Sequence, residues 1–198
     1  MPKVVDHEAR RAALGEAVWR VALRRGLEEA TLREIAAEAG WSTGVLAHYF
    51  ADKDELVCFA FRLVVERASA RYLAAAEAED AVDRIRAALR ETLPLDEERL
   101  AEARVWLAFL GRSLSHPGLA EERRAFYAQW RASLAGLIED GRRRGHLRPG
   151  LDAEAEAVGL IALVDGLALQ AVSDPTALDA ARQEKLLDAA VERLRPAK

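Results

Sequence analysis

The sequence predicts an all-α protein, and three observations carry the prediction. Ala, Leu, Arg and Glu dominate the composition, and these side chains lose little rotamer freedom in a helix. Apolar residues recur at three-to-four spacing, with no strand-like alternation of any length. The interruptions are discrete: Gly26, Gly40, Pro94, His116-Pro117, "RRRGHLRPG" and "SDPT".

The first helix should run from about Asp6 to Arg25. It places Leu14, Val18, Val21 and Ala22 on one face, with Trp19 at its border, and Gly26 closes it. Thr31 with Glu34 three residues on is a capping box. It opens a second helix carrying Leu32, Ile35, Ala36 and Ala39, which Gly40 stops. Ser42 and Thr43 are natural caps for a third, with Val45, Leu46 and Tyr49 following. Helices this short do not hold alone in water, so both must pack against the first. Asp52 caps a fourth, with Asp54 and Glu55 in its first turn, where negative charge suits the helix dipole. Its stripe is Leu56, Phe59, Ala60, Leu63 and Val64, and it should reach about Glu79. Five more helices are expected at roughly 81–93, 97–115, 118–143, 152–172 and 177–194.

Bulk properties exclude several classes. Cys58 is the sole cysteine of 198 residues, so no internal disulfide forms. No apolar run reaches the roughly 18 residues of a membrane span, and "MPKVVDHEAR" has no apolar core of a secretion signal. A cytoplasmic protein with no membrane partner is expected. Net charge is −4, and residues 1–53 hold 8 basic and 8 acidic side chains, leaving 21 and 25 for the rest. The N-terminal segment is therefore no basic patch, and a nucleic-acid reading must rest on motif geometry. His7, His48, His116 and His146 lie in no cluster with metal-ligand spacing, so no metal is expected. No Ser/His/Asp spacing or phosphate-binding glycine loop suggests an enzyme or a cofactor.

A short helix, a turn on glycine and a second short helix make a helix-turn-helix. Ala36 is small where the helices cross, Gly40 supplies the positive φ of the turn, and Leu46 roots the second helix. That leaves the second helix free to enter a DNA major groove. The stretch "TLREIAAEAGWSTGVLAHYFADKDEL", residues 31–56, resembles the DNA-binding segment of the TetR family of bacterial regulators. "STGVLAHYF" is most similar to the branch that includes the choline-responsive BetI repressors. The resemblance implies a DNA-binding domain over residues 1–53 and an effector-binding and dimerisation domain over 54–198. It implies a homodimeric repressor released from a pseudo-palindromic double-stranded operator by a small-molecule effector. The residues it turns towards DNA are Thr31, Ser42, Thr43, Gly44, His48, Tyr49 and Lys53. Hydroxyls and helix N-terminal amides suit phosphate oxygens, as do the Tyr49 hydroxyl and the Lys53 ammonium. Thr43 and His48 can reach base edges. Thr31 and Ser42 also read as helix caps alone, and Tyr49 as core. Two departures stand out: Ala47 occupies a position where many members carry Tyr, and Trp41 replaces a small aliphatic residue. The missing tyrosine at Ala47 and the neutral N-terminal segment leave open a helical adaptor that binds a partner and no longer reads DNA.

In the family the last two long helices build the dimer interface. Here they read "AEAEAVGLIALVDGLALQAV" and "LDAARQEKLLDAAVERL". Val158, Ile161, Ala162 and Leu169 are expected to meet Leu187, Ala190, Val191 and Leu194 in a four-helix seam. Asp165 lies in an apolar stretch and is costly there unless paired. It should pair with an arginine, face a ligand pocket or lie exposed. Trp106, Phe109, Phe126, Tyr127 and Trp130 fall at helical spacing. They read either as core or as the walls of an effector pocket that, with Asp165 or Glu102, would hold a cation.

Overall fold

The computed structural model describes residues 7–75 and 78–196. Among them lie nine α-helices and no strand. They are α1 (His7–Arg25), α2 (Leu32–Ala39), α3 (Thr43–Leu46), α4 (Lys53–Ala75), α5 (Ala81–Arg90), α6 (Glu97–Ser113), α7 (Pro117–Arg143), α8 (Ala153–Ser173) and α9 (Ala180–Glu192).

Their boundaries follow local chemistry. Thr31 accepts the Glu34 amide at 3.2 Å, and the Glu34 carboxylate accepts the Thr31 amide at 3.0 Å, so the capping box forms as read. Gly40 has φ +69°, and the Trp41 amide closes back on Ala36 O at 2.8 Å. Ser42 caps α3 through the Val45 amide. Asp52 accepts the Glu55 amide at 2.9 Å at the start of α4. Asp80, Asp96, Asp152 and Asp179 open α5, α6, α8 and α9 in the same way. The described part of α4 ends at Ala75, Glu79 lies outside any helix, and Asp80 starts the next one.

Two apolar clusters fill the interior. The first joins Leu14, Val18 and Val21 of α1 to Ile35, Leu46, Phe50, Leu56, Val57 and Phe61. It also takes in Val105 and Phe109 of α6, so it spans both sides of residue 53. The second joins Ile85 and Leu89 to Leu134, Ile138, Leu160, Val164, Leu187 and Val191. α4 contributes more than the single stripe read from its periodicity. Val57 and Phe61 are fully buried, while Phe59 and Leu63 are only half-buried. Packing on more than one side turns the inward face of this helix away from the simple pattern.

The expected dimer seam needs correction. Ile161, Leu187, Ala190, Val191 and Leu194 are all buried in the second cluster of their own subunit. Val158 and Leu169 are about half exposed, and Ala162 is exposed. An apolar helix that is buried on one side and bare on another looks uniform in sequence. The same α8 is, contrary to the reading of run lengths, long and apolar enough to cross a membrane by length and composition. Here it packs against α7 and α9 through Ala157, Leu160, Val164 and Leu167.

α7 lies close against α5 at Gly141. A Cβ there would lie 2.5 Å from Ala81 Cβ and 3.0 Å from Leu147 Cγ. Gly141→Ala should therefore cost about 1–3 kcal/mol by overpacking. Urea denaturation should show a lower midpoint at unchanged m-value, and an unchanged midpoint would contradict this close approach.

Candidate nucleic-acid interface and ligand cavity

The exposed stretch Ser42–Tyr49 is held by two buried anchors. Leu46 is fully buried and Phe50 nearly so, with Phe50 edge-on to Phe59 at 5.2 Å between centroids. Between and before these anchors, Ser42, Thr43, Gly44, Val45, Ala47, His48 and Tyr49 all reach solvent. The regular part of α3 is a single turn, and residues 47–49 continue it as a turn. Trp41 is half-buried and packs against the Tyr49 ring at 5.7 Å, so the aromatic that departs from the family pattern braces the exposed tyrosine. Gly44 has an ordinary backbone, and a Cβ on it would meet only Ser42 Oγ at 3.8 Å. Folding does not require glycine there, and its effect is to leave the start of α3 bare.

The seven residues expected at DNA divide into two groups. Ser42, Thr43, Gly44, His48 and Tyr49 share the exposed surface. The Ser42 and Thr31 hydroxyls are engaged as caps, and Thr31 Oγ1 also donates to Glu34 at 2.9 Å. Lys53 is a correction. Its ammonium, expected on a phosphate, donates to Leu27 O at 2.6 Å and Ala30 O at 2.5 Å. It ties the start of α4 to the turn between α1 and α2, and burial pushes its pKa down. Other cations nearby are engaged as well. Glu38 takes Arg20 and Arg24 at 2.6 Å each, and those bonds hold its pKa down.

A second feature lies between α4, α6, α7 and α8. It is a cavity of about 240 Å³ with Phe61, Trp106, Phe126 and Trp130 as aromatic walls and Val64, Ala103 and Val164 as apolar ones. The rings form one cluster: Trp106 lies 5.3 Å from Phe126, and Phe126 lies 5.7 Å from Trp130. Of the six residues expected around an effector, Trp106, Phe126, Trp130 and Asp165 line this cavity. Phe109 and Tyr127 do not. Phe109 is fully buried and stacks on Phe61 with centroids 3.8 Å apart. Tyr127 stands behind the wall, and its hydroxyl donates to Asp165 Oδ2 at 2.5 Å.

Three carboxylates reach the cavity, in different electrostatic states. Glu102 is ion-paired with Arg71. Glu91 is shared by Arg71 at 3.2 Å and Arg99 at 3.4 Å. Asp165, expected either beside an arginine or facing a pocket, lines the cavity and has no cation at ion-pair distance among the described residues. Its hydrogen-bond partner is the neutral Tyr127 hydroxyl, and the Trp106 indole bears on it as well. Burial raises the Asp165 pKa, and these two neutral donors pull it partly back. The same burial and the adjacent carboxylate push the Tyr127 pKa up. An aromatic wall beside a carboxylate without a counter-ion is a cation-binding arrangement. Phe61 and Tyr72 were missed among the wall residues. Both sit on α4 with Val65 and Ala68 between them at four-three-four spacing. That signal was present but is indistinguishable from a core stripe.

Comparison with known proteins places both halves of the chain in one family. The family model for bacterial regulatory proteins of the tetR family matches residues 16–58. The model for the C-terminal region of BetI-type transcriptional repressors matches residues 81–196. The transcriptional regulator PksA of Bacillus subtilis is 38% identical over 175 residues, covering 83% of this chain and 80% of that protein. BetI of Paraburkholderia phytofirmans is 35% identical over 168 residues, 83% of each chain. A solved transcriptional regulator from Rhodococcus sp. Rha1 is 36% identical at a TM-score of 0.80, over 93% of this chain and 95% of that one. A regulator from Saccharomonospora viridis, solved in complex with choline, superposes at a TM-score of 0.84 with 27% identity, over 96% and 99%. These relatives are regulators of transcription, not enzymes.

The position of Lys53 has a measurable consequence. A phosphate contact contributes about 0.9 to the slope of log affinity against log salt for duplex DNA. Lys53→Met should leave that slope unchanged and lower stability by about 1–3 kcal/mol, because two carbonyls lose their donor. A slope reduced by a full contact at unchanged stability would return Lys53 to the DNA surface.

Proposed function

The chain belongs to the TetR family of bacterial regulatory proteins, with a BetI-type C-terminal region, and from that premise we propose that it is a homodimeric, ligand-responsive repressor. The observation that carries the reading is the bare surface Ser42–Tyr49, rooted by Leu46 and Phe50. Residues 1–53 serve as the DNA-binding domain and 54–198 as the effector and dimerisation domain. In this reading α3 enters the major groove. Thr43, Gly44 and His48 face base edges, Ser42 and Tyr49 reach the backbone, and Thr31 contributes by fixing the start of α2. Gly44 lets the backbone come close, and Trp41 keeps Tyr49 in place.

The dimer uses the bare face of α8 and its neighbour on α9. Val158, Ala162 and Leu169 combine there with exposed Leu186 and Ala189. A Cβ on Gly159 or Gly166 would meet nothing within 4 Å in the subunit, which leaves room for a partner helix. A two-fold axis through this face presents two copies of α3 to the half-sites of an inverted repeat.

The effector is a small organic cation held against Trp106, Phe126, Trp130 and Asp165. Choline in the Saccharomonospora viridis regulator supports this class. The cation favours a dimer whose α3 helices no longer fit adjacent grooves, by no more than its differential affinity for the two states.

Selection of bound duplexes from a random pool tests the DNA reading. Wild-type protein should enrich an inverted repeat, and a His48→Ala/Tyr49→Ala variant should lose it. A folded dimer that enriches nothing at low salt would overturn the reading. The cation reading makes a separate prediction about pH. Asp165 has a raised pKa, so its carboxylate is present above that value and protonated below it. Affinity for a permanently charged ammonium should be flat at high pH and fall about tenfold per unit below the Asp165 pKa. Asp165→Asn should weaken binding and flatten the profile, as calorimetric titration can follow.

A further inference from the structure

The bare surface Ser42–Tyr49 carries an apolar side chain that hydrogen bonding to DNA leaves unused. Val45 of α3 is 38% exposed, whereas Leu46 beside it is fully buried. The Val45 amide donates to the Ser42 cap at 3.3 Å, and its carbonyl accepts the His48 amide at 3.2 Å. The backbone under the side chain is thus closed on both sides. Val45 nevertheless works against the fold where it stands. α3 is four residues long, and a β-branched residue is a poor helix former. Its exposed methyls gain nothing from burial in the free protein. The same branching gives valine one strongly preferred rotamer in a helix, so an apolar partner can cover it at little entropic cost.

The neighbours narrow what that partner is. Val45 and His48 are three residues apart, so they share one side of the turn, and both reach solvent. Leu46 and Phe50 point the other way, into the core. Ala47 is exposed too, but it offers a single methyl close to its own backbone. Arg20, Arg24, Arg25 and Lys53 are engaged within the chain, so no ammonium or guanidinium of theirs stands over this patch. On the base edges of a major groove, the apolar group is the C5 methyl of thymine.

Resting on the DNA reading proposed above, we infer that Val45 is a specificity-determining residue that packs its methyls on the C5 methyl of a thymine in each half-site. That thymine lies beside the base pair that His48 faces. Gly44, one residue earlier, has no side chain to hold α3 off the base edges. The contact distinguishes thymine from cytosine, which lacks the methyl and presents an amino group there.

The test is a thymine-to-deoxyuridine scan of the inverted repeat that the full chain enriches from a random pool. Each replacement removes one C5 methyl and keeps the O4 acceptor and the base pairing. Binding is followed by fluorescence anisotropy at one fixed salt concentration. At one thymine per half-site the wild-type protein should lose about fourfold in affinity for each methyl removed, the factor one buried methyl is worth. Val45→Ala should bind the thymine duplex about as weakly as the wild type binds the deoxyuridine duplex, and should be indifferent to that replacement. The substituted side chain is exposed and alanine is the better helix former, so the variant should keep its fold. A wild-type scan flat at every thymine would overturn the Val45 assignment and leave DNA binding standing. So would a methyl effect that survives unchanged in Val45→Ala. Enrichment of no duplex at low salt would overturn the DNA reading and this inference together.

Discussion

Phe61 stacks on Phe109 with the ring planes 4° from parallel, and both side chains are buried. This contact fixes α4 against α6 at the point where the two halves of the chain meet. On the N-terminal side of Phe61, α4 gives Leu56, Val57 and Ala60 to the core that roots α3. On the C-terminal side it gives Val65, Ala68 and Tyr72 to the cavity. A continuous helix from Lys53 to Tyr72 spans about 28 Å and has no soft joint. A change in how the cavity wall sits is therefore a change in the direction of the whole helix.

At its N-terminus that helix is tied twice. Lys53 holds the carbonyls of Leu27 and Ala30 in the turn after α1. Asp54 is ion-paired with Arg112 near the end of α6, which also reaches Glu28 at 3.6 Å, and His116 lies 3.5 Å from Asp54. The turn before α2, the start of α4 and the end of α6 thus meet in one polar cluster. Under the proposed function, this cluster and the Phe61–Phe109 stack are the contacts through which an occupied cavity bears on α3.

Charge is distributed in opposite ways at the two features. Around the helix-turn-helix, Arg20, Arg24, Arg25 and Lys53 are all engaged within the chain. The exposed surface of α3 is consequently one of hydroxyls, backbone, imidazole and phenol rather than of ammonium groups. Groups of this kind favour recognition by shape and hydrogen bonding over bulk attraction. In the cavity the reverse holds. Glu102 and Glu91 have their arginines, while Asp165 has only neutral donors, so one negative charge remains for a ligand to answer.

The sequence by itself determined what depends on neighbours a few residues apart. The helix starts at Thr31, Ser42, Asp80, Asp96, Asp152 and Asp179 and the turn on Gly40 all rest on contacts within one or two turns. Such contacts repeat wherever the pattern repeats, which is why the helical layout and the helix-turn-helix could be read directly. Tertiary structure decided everything that depends on which face of a helix meets which neighbour. It turned Ile161, Leu187, Ala190, Val191 and Leu194 inward and left Val158, Ala162 and Leu169 bare. It put Phe109 in the core and Phe61 in the wall, gave Lys53 two carbonyls, gave Asp165 a phenol beside the cavity, and left the Tyr72 hydroxyl buried without a hydrogen-bond partner. An apolar or polar residue carries its chemistry in its identity, but its partner lies tens of residues away, and only the packing of whole helices brings the two together.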